Sequence, residues 1–452
     1  MVVKTYDEYQ KTELPWLTKV PSHWTWLRNK NIYAEKKEIV GDRKTEFKLL
    51  SLTKKGIIIR DVSSGKGKFP KDFDTYKVVN PGDMVFCLFD VDETPRTVGL
   101  SNYRGMITGA YDVFGIHGIN SKYAYYYYLA FDNLKAYKPL YSGLRKTIPL
   151  PSFMATKIPV PPKEEQEQIA CYLDWKTSEI DRFVHQKKKQ IKRLKDLRIQ
   201  TINNAITRGI NNNVECKDTG IDWLPSMPSH WELKKLRNFL TEVSDKNHPE
   251  CQLLSVTREL GVIVRDVEDY ESNHNYIPDD LSNYKRVKNG QFVINKMKAW
   301  QGSYGLSVYD GIVSPAYYVF DLKFKNKEFF HWAIRSKIYV NFFAQYSDGI
   351  RVGQWDLSKE KLKTIPFLVP PENEQAEIVE FLKEQSERIE EQIKSIETEI
   401  ELLQELRTKI IADVVTGQID VRDVVIPEYS CDEDTDSDDV EDDEEEIEES
   451  ED

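Results

Sequence analysis

WLPSMPSHW, running from Trp223 to Trp231, carries a PSHW that the chain has already used at Pro21 to Trp24. The echo extends far beyond four residues. LLSLT at Leu49 to Thr53 returns as LLSVT at Leu253 to Thr257, GIIIRDV at Gly56 to Val62 as GVIVRDV at Gly261 to Val267, and TGAYDVF at Thr108 to Phe114 as SPAYYVF at Ser314 to Phe320. Each half closes alike, in KIPVPPKEEQEQI from Lys157 and TIPFLVPPENEQAEI from Thr364, where the copies lie 209 residues apart. A period this long marks two copies of one domain-sized unit and excludes a solenoid, whose repeats are much shorter.

Within each copy the first part alternates short runs of β-branched and aromatic residues, such as GIIIRDV, DMVFCLF, QFVINKM and YYVFDL, with Gly, Asn and Pro, the pattern of a β-rich domain. Helical pieces interrupt it in SKYAYYYYLAFDNL and NKEFFHWAIRSKIYVNFF, and the run of four tyrosines reads as core and rim. The second part differs completely. Lys163 to Thr207 and Glu372 to Thr416 contain neither Pro nor Gly and are dense in helix formers, so each predicts one long helix of roughly 68 Å. In the second, Ile389, Ile393, Ile396, Ile400 and Leu403 trace a coiled-coil seam; in the first, Ile180, Val184, Ile191 and Leu194 do so, with Lys187 interrupting. A helix with a single apolar stripe needs a partner, and its own duplicate is the nearest. The expectation is an antiparallel coiled coil, within an α+β fold of two β-rich, mixed α/β domains related by a pseudo-twofold internal repeat.

Composition narrows the function. The chain of 452 residues is 40% hydrophobic, enough for more than one core, and no apolar run approaches the ~18 residues of a membrane span. The start, MVVKTYDEYQ, has no apolar secretory segment, so a cytoplasmic protein is expected. Five cysteines without a CxxC pair indicate reduced thiols. The net charge of −12 is deceptive, because residues 428–452 hold 17 of the 75 acidic residues and none of the 63 basic ones. The body is therefore mildly basic, and the acidic tail reads as disordered.

Reactive constellations are missing from the sequence. GKGK at Gly65 to Lys68 lacks the spacing of a phosphate loop, and neither HExxH nor GxSxG occurs. His23, His230 and His331 stand in polar-aromatic settings and read as structural. Better defined are four Gly-containing stretches rich in base-reading residue types: TPRTVGLSNYRG from Thr94, SGLRKT from Ser142, NKMKAWQGSYG from Asn295 and DGIRVGQWD from Asp348. Arg or Lys suits guanine, and Asn or Gln suits adenine.

Taken together, PSHW, IPVPPKEEQEQIACYLDWKTSEID and IPFLVPPENEQAEIVEFLKEQSERIE, at matching places in a duplicated chain, resemble the DNA specificity subunits of type I restriction-modification systems. The resemblance covers everything except the acidic tail. It implies two target recognition domains, each gripping half of a bipartite double-stranded DNA site, with the long helices as spacers. It also implies two docked methyltransferase subunits and ATP-driven restriction subunits. S-adenosylmethionine, ATP and Mg would belong to those partners; this chain would bind no cofactor or metal and be no enzyme by itself. The boundaries expected are 1–162 for the first recognition domain, 211–371 for a linker and the second, 163–210 and 372–420 for the helices, and 421–452 for the tail. Candidate DNA contacts are Arg60, Lys66, Lys68, Arg96, Thr97, Asn102, Arg104, Arg145 and Lys146 in the first copy. In the second they are Arg265, Asn295, Lys296, Lys298, Trp300, Gln301, Arg351 and Gln354. Trp24 and Trp231 are expected as buried anchors after an opening turn. The competing reading is a helical adaptor whose two globular ends bind something other than DNA.

Overall fold

The computed structural model describes residues 4–60, 73–143, 146–211, 213–221, 224–266, 277–278, 280–351 and 354–429. Seven α-helices occur among them: α1 (Ser121–Asn133), α2 (Leu150–Ala155), α3 (Lys163–Arg208), α4 (Lys327–Arg335), α5 (Lys337–Tyr346), α6 (Lys359–Thr364) and α7 (Glu372–Val415). The two segments without Pro or Gly are α3 and α7, of 46 and 44 residues. Proline pairs precede both, at Pro161 and Pro162 and at Pro370 and Pro371. Both end where a glycine turns left-handed, Gly209 at φ +76° and Gly417 at φ +70°, the usual way a helix stops. The stretch NKEFFHWAIRSKIYVNFF forms two helices, α4 and α5, because Ser336 between them is extended, with ψ 151°.

The described residues fall into two compact units, one drawn from 1–186 and 398–433, the other from 187–397. Each unit takes a part of both long helices, which makes the first one discontinuous in sequence. In the first unit, a four-stranded sheet has the order Gly56–Ile59, Lys48–Thr53, Gly105–Ile107, Lys77–Val79, with its middle pair parallel. Beside it lies an antiparallel sheet in the order Tyr33–Lys36, Asp112–Ile116, Met84–Phe86, Val98–Leu100. Leu50, Ile57, Val79, Val85, Ile107 and Val113, drawn from both sheets, make one core cluster. The second unit repeats this with Leu254, Val256, Val262, Val287, Val293, Val313 and Val319. Its antiparallel sheet runs Leu240–Val243, Tyr318–Leu322, Phe292–Ile294, Tyr304–Leu306.

A larger core in each unit joins the sheet to the helices. In the first, Trp24, Phe86, Tyr127 and Tyr128 pack with Ile169 and Leu173 of α3 and with Ile411, Val414 and Val415 of α7. Asp181 then meets Arg407 at 3.1 Å, so numbers rise along α3 as they fall along α7. In the second unit Ala205 and Ile206 share a core with Ile378, Val379 and Leu382, and Arg198 meets Glu390 at 3.0 Å. The helices are antiparallel in each unit. All nine seam positions are buried or half-buried, whereas Leu402 and Leu406 on α7 are exposed.

Tyr126, Tyr127 and Tyr128 of the tyrosine run are buried and Tyr125 is half-buried, filling the α1 face of the first core. Asn120 starts that helix by accepting hydrogen bonds from the Lys122 and Tyr123 amides, each at 3.0 Å. Asn120→Ala removes this cap and is expected to cost about 1 kcal/mol, read as a shift in the chemical-denaturation midpoint of the first unit with an unchanged slope.

Candidate nucleic-acid interface

The repeated PSHW fixes each sheet to the helix that follows it. Trp24 and Trp231 are almost fully buried, as an anchoring role requires. Their indole N–H groups donate to carboxylates in the first turns of the long helices, Trp24 to Glu165 at 2.9 Å and Trp231 to Glu374 at 2.8 Å. The preceding histidines reach the same carboxylates, His23 to Glu165 at 2.8 Å and His230 to Glu374 at 2.5 Å. In the first unit Tyr6 Oη adds a third bond to Glu165 at 2.6 Å; burial and then Glu165 itself push the Tyr6 hydroxyl far above its ordinary pKa, which keeps it a donor. The next residues, Gln166 and Gln375, bond back to the Pro161 and Pro370 carbonyls at 2.8 and 2.7 Å. In PPKEEQ and PPENEQ, then, the Glu takes the His-Trp pair and the Gln closes the turn.

From this base each sheet carries a hairpin whose turn an arginine holds down, and the arginine comes from different elements in the two copies. Arg96 bonds Asp132 at 3.1 Å, Asn133 at 2.7 Å and the Lys54 carbonyl at 3.4 Å. In the second copy Arg335 of α4 takes the Arg258 and Glu259 carbonyls at 2.6 and 2.7 Å, and Tyr304 O at 2.6 Å. Arg96 is thus committed inside the protein, with 11% of its side chain exposed. Thr97 is likewise buried, its amide and hydroxyl donating to Asp132 at 3.0 and 2.6 Å. Arg96 thereby ties the hairpin turn to α1, and Thr97 is tied to α1 beside it.

The structure brings the remaining candidates together in pairs of loops. In the first copy the segment after Phe86 meets the segment before α2: Ile148 N donates to Leu88 O at 2.8 Å, and Asp92 joins Lys146 at 3.0 Å and Tyr141 at 3.1 Å. The Lys146 ammonium holds the Asp92 carboxyl below its ordinary range. In the second copy Leu357 N donates to Lys296 O at 3.1 Å, Lys296 joins Asp356 at 2.9 Å, and Trp300 packs on Trp355 with ring centroids 5.1 Å apart. Asp356 raises the Lys296 pKa. One frame therefore carries opposite charge patterns. The loop of the first copy holds Asp90, Asp92 and Glu93, and that of the second Lys296 and Lys298.

Other candidates are placed as follows. Asn295 is buried, with Nδ2 on Tyr317 Oη at 3.4 Å. Lys298, Trp300 and Gln301 are half-buried. Arg351 and Gln354 are backbone register partners at the tip of the hairpin Ser347–Arg351/Gln354–Leu357. Asn102 and Arg104 are exposed, with Arg104 over the Phe47 ring at 5.4 Å. Arg60 and Arg265 occupy equivalent strand ends, their amides donating to Leu49 O and Leu253 O at 2.9 Å each. Lys66, Lys68, Arg145 and the acidic tail beyond residue 429 lie outside the described residues. Sequence reading passed over Glu165, Glu374 and Arg335. The two glutamates were legible as the same position of the duplicated PP-x-x-Glu-Gln passage, whereas nothing local marks Arg335.

Among the described residues no cluster of His, Cys, Asp and Glu could hold a metal ion, and no helix is long and apolar enough to cross a membrane. The arrangement offers hydrogen-bonding and charged loops on a rigid frame, which suits recognition. Comparison with known proteins agrees. The family model for the type I restriction modification DNA specificity domain matches twice, over residues 88–215 and 229–401. No curated protein sequence matches the chain. Among solved structures, it is similar to a chain from work on complex assembly and conformational transition of the type I R-M system, at 12% identity and a TM-score of 0.59, covering 88% of this chain and 99% of that one. The HsdS subunit from Thermoanaerobacter tengcongensis matches at 13% identity, TM-score 0.45, over 88% and 98% of the two chains. The S subunit of the type I system from M. genitalium matches at 11% identity, TM-score 0.34, over 90% and 97%.

Proposed function

Since this chain belongs to the type I restriction modification DNA specificity family, whose domain it carries twice, we propose that it reads a bipartite DNA target, one half-site through each unit. It is a DNA sequence-recognition subunit and the non-catalytic part of a restriction-modification complex. Its partners are two methyltransferase subunits and restriction subunits, and S-adenosylmethionine, ATP and Mg serve those partners, in the cytoplasm where the DNA is. The observation that carries the bipartite reading is the duplication itself: the Trp-His-Glu anchor is the same in both copies while the paired loops differ in length and charge. A conserved frame with divergent loops is what two different half-sites require.

Arg351→Ala tests the reading. With the chain and its methyltransferase expressed together, mapping methylated adenines in the host genome is expected to show one half-site relaxed and the other intact. A lost bidentate contact costs about 1–3 kcal/mol of discrimination. Uniform weakening on every sequence would instead make Arg351 a phosphate or loop contact, and a methylation pattern without two specified halves would overturn the bipartite reading.

A further inference from the structure

We propose that Lys246, Lys285, Lys296 and Lys359, of which Lys285 and Lys359 lie over the Tyr318 ring, form a site for a DNA backbone phosphate that the first copy lacks; this rests on the reading of the chain as a DNA recognition subunit. Four parts of the second unit converge here. Lys285 opens the strand Lys285–Val287, and its Nζ bonds the Tyr317 carbonyl. Lys246 is bridged to Lys285 through the backbone. Lys359 is the first residue of α6, its Nζ 5.1 Å from the centre of the Tyr318 ring, and Lys285 Nζ lies 6.0 Å from the same centre. Lys296 follows the strand residue Ile294, which pairs with Tyr318, by two positions.

The duplication supplies an internal control for each position. Ile39 bridges to Lys77 as Lys246 does to Lys285. Leu88 accepts from Ile148 as Lys296 does from Leu357. Leu150 begins α2 as Lys359 begins α6. Three of the four lysines therefore replace aliphatic residues. The fourth pair, Lys77 and Lys285, keeps its ammonium on an equivalent tyrosine carbonyl, Tyr111 O at 2.6 Å in the first copy. There Lys77 also has Asp112 at 3.4 Å, and the residue in Asp112's place is Tyr318. The second copy has added three charges and removed the carboxylate facing the fourth.

Glu242 pairs with Lys359 and Asp356 with Lys296, which leaves Lys246 and Lys285 with no carboxylate within ion-pair distance among the described residues. Burial first, then Lys359, Lys246 and Lys296 against the opposing pull of Glu242, lower the Lys285 pKa. Such crowding of like charge is unfavourable in the free protein and is relieved by an anion. A phosphate fits, because it accepts from several ammonium groups at once and its neutralisation releases counterions. A contact of this kind fixes register and carries no base information. The second unit would thus hold the backbone through the cluster while its neighbouring loops face the bases.

The test uses the full-length chain and a fluorescently labelled mixed-sequence duplex of about 40 base pairs, with affinity measured from about 50 to 200 mM KCl. Lys246→Ala and Tyr318→Asp are each expected to reduce the slope of log affinity against log salt by about 0.9, the value of one phosphate. Lys246→Arg and Tyr318→Phe should keep the parent slope, which separates loss of charge from loss of packing; a thermal melt verifies that each variant is folded. Parent slopes retained by both Lys246→Ala and Tyr318→Asp would overturn the phosphate site while leaving DNA recognition standing. A parent protein whose duplex binding does not vary with salt would overturn both.

Discussion

Glu165→Ala will loosen the first unit far more than the equivalent Glu374→Ala loosens the second. The Glu165 carboxylate is 5% exposed and receives Tyr6, His23 and Trp24. Its removal leaves the indole N–H and the tyrosine hydroxyl buried without acceptors. At about 1–3 kcal/mol for each orphaned group, the loss is about 4 kcal/mol, a large share of the roughly 5–15 kcal/mol that keeps a domain folded. Glu374 is 29% exposed, and its partner His230 is 41% exposed, so water replaces part of what is lost; about 2 kcal/mol is expected there. Hydrogen exchange followed by mass spectrometry resolves the two units: faster exchange should spread through the strands at Thr25–Arg28 and Lys157–Val160 in the first variant and stay local in the second. Equal, small effects would show that the anchor does not hold the sheet to the helix.

Matched insertions of four residues, one after Gln186 in α3 and one after Glu397 in α7, should lengthen the unspecified gap of the DNA target and leave its two half-sequences unchanged. Both insertions fall where the chain passes from one compact unit to the other. They leave Asp181 with Arg407 and Arg198 with Glu390 inside their units. An insertion in α3 alone would shear that antiparallel pairing, which is why two are needed. Each adds about 6 Å of helix and a rotation of roughly 40° beyond a full turn, against 3.4 Å per base pair of DNA. The gap should grow by about one or two base pairs, and sites of the original spacing should lose methylation by about tenfold or more, the equivalent of one mismatched contact. Methylation mapping of the parent and the double insertion reads the result directly. An unchanged gap in an active variant would mean that something other than helix length sets the spacing.

Much of the fold was legible because it is written as periodicity and repetition. Two proline pairs, two glycines and the unbroken helix formers between them bound α3 and α7 to within a residue or two, since Pro and Gly act through local backbone geometry. Spacing alone identified Ile389, Ile393 and Ile396 as the inward stripe. Arg96 shows the opposite case. Its sequence neighbourhood of Thr, Gly, Ser and Asn suited base reading, but Asp132, 36 residues away on α1, comes within 3.1 Å and claims it. No local pattern announces such a partner.

The sequence by itself determined that there are two copies, where the helices begin and end, and which tryptophans anchor them. These follow from short-range backbone preferences and from comparing the copies with each other. Only the tertiary structure decided which polar residues are used up internally, as Arg96, Thr97 and Asn295 are. It alone showed that Glu165 and Glu374 receive the His-Trp pairs and that Lys285 and Lys359, distant in sequence, meet over the Tyr318 ring. The physical reason is that a charge or hydrogen-bonding group takes its role from whatever lies within a few ångströms, and in a sheet fold those neighbours come from strands and helices tens to hundreds of residues away.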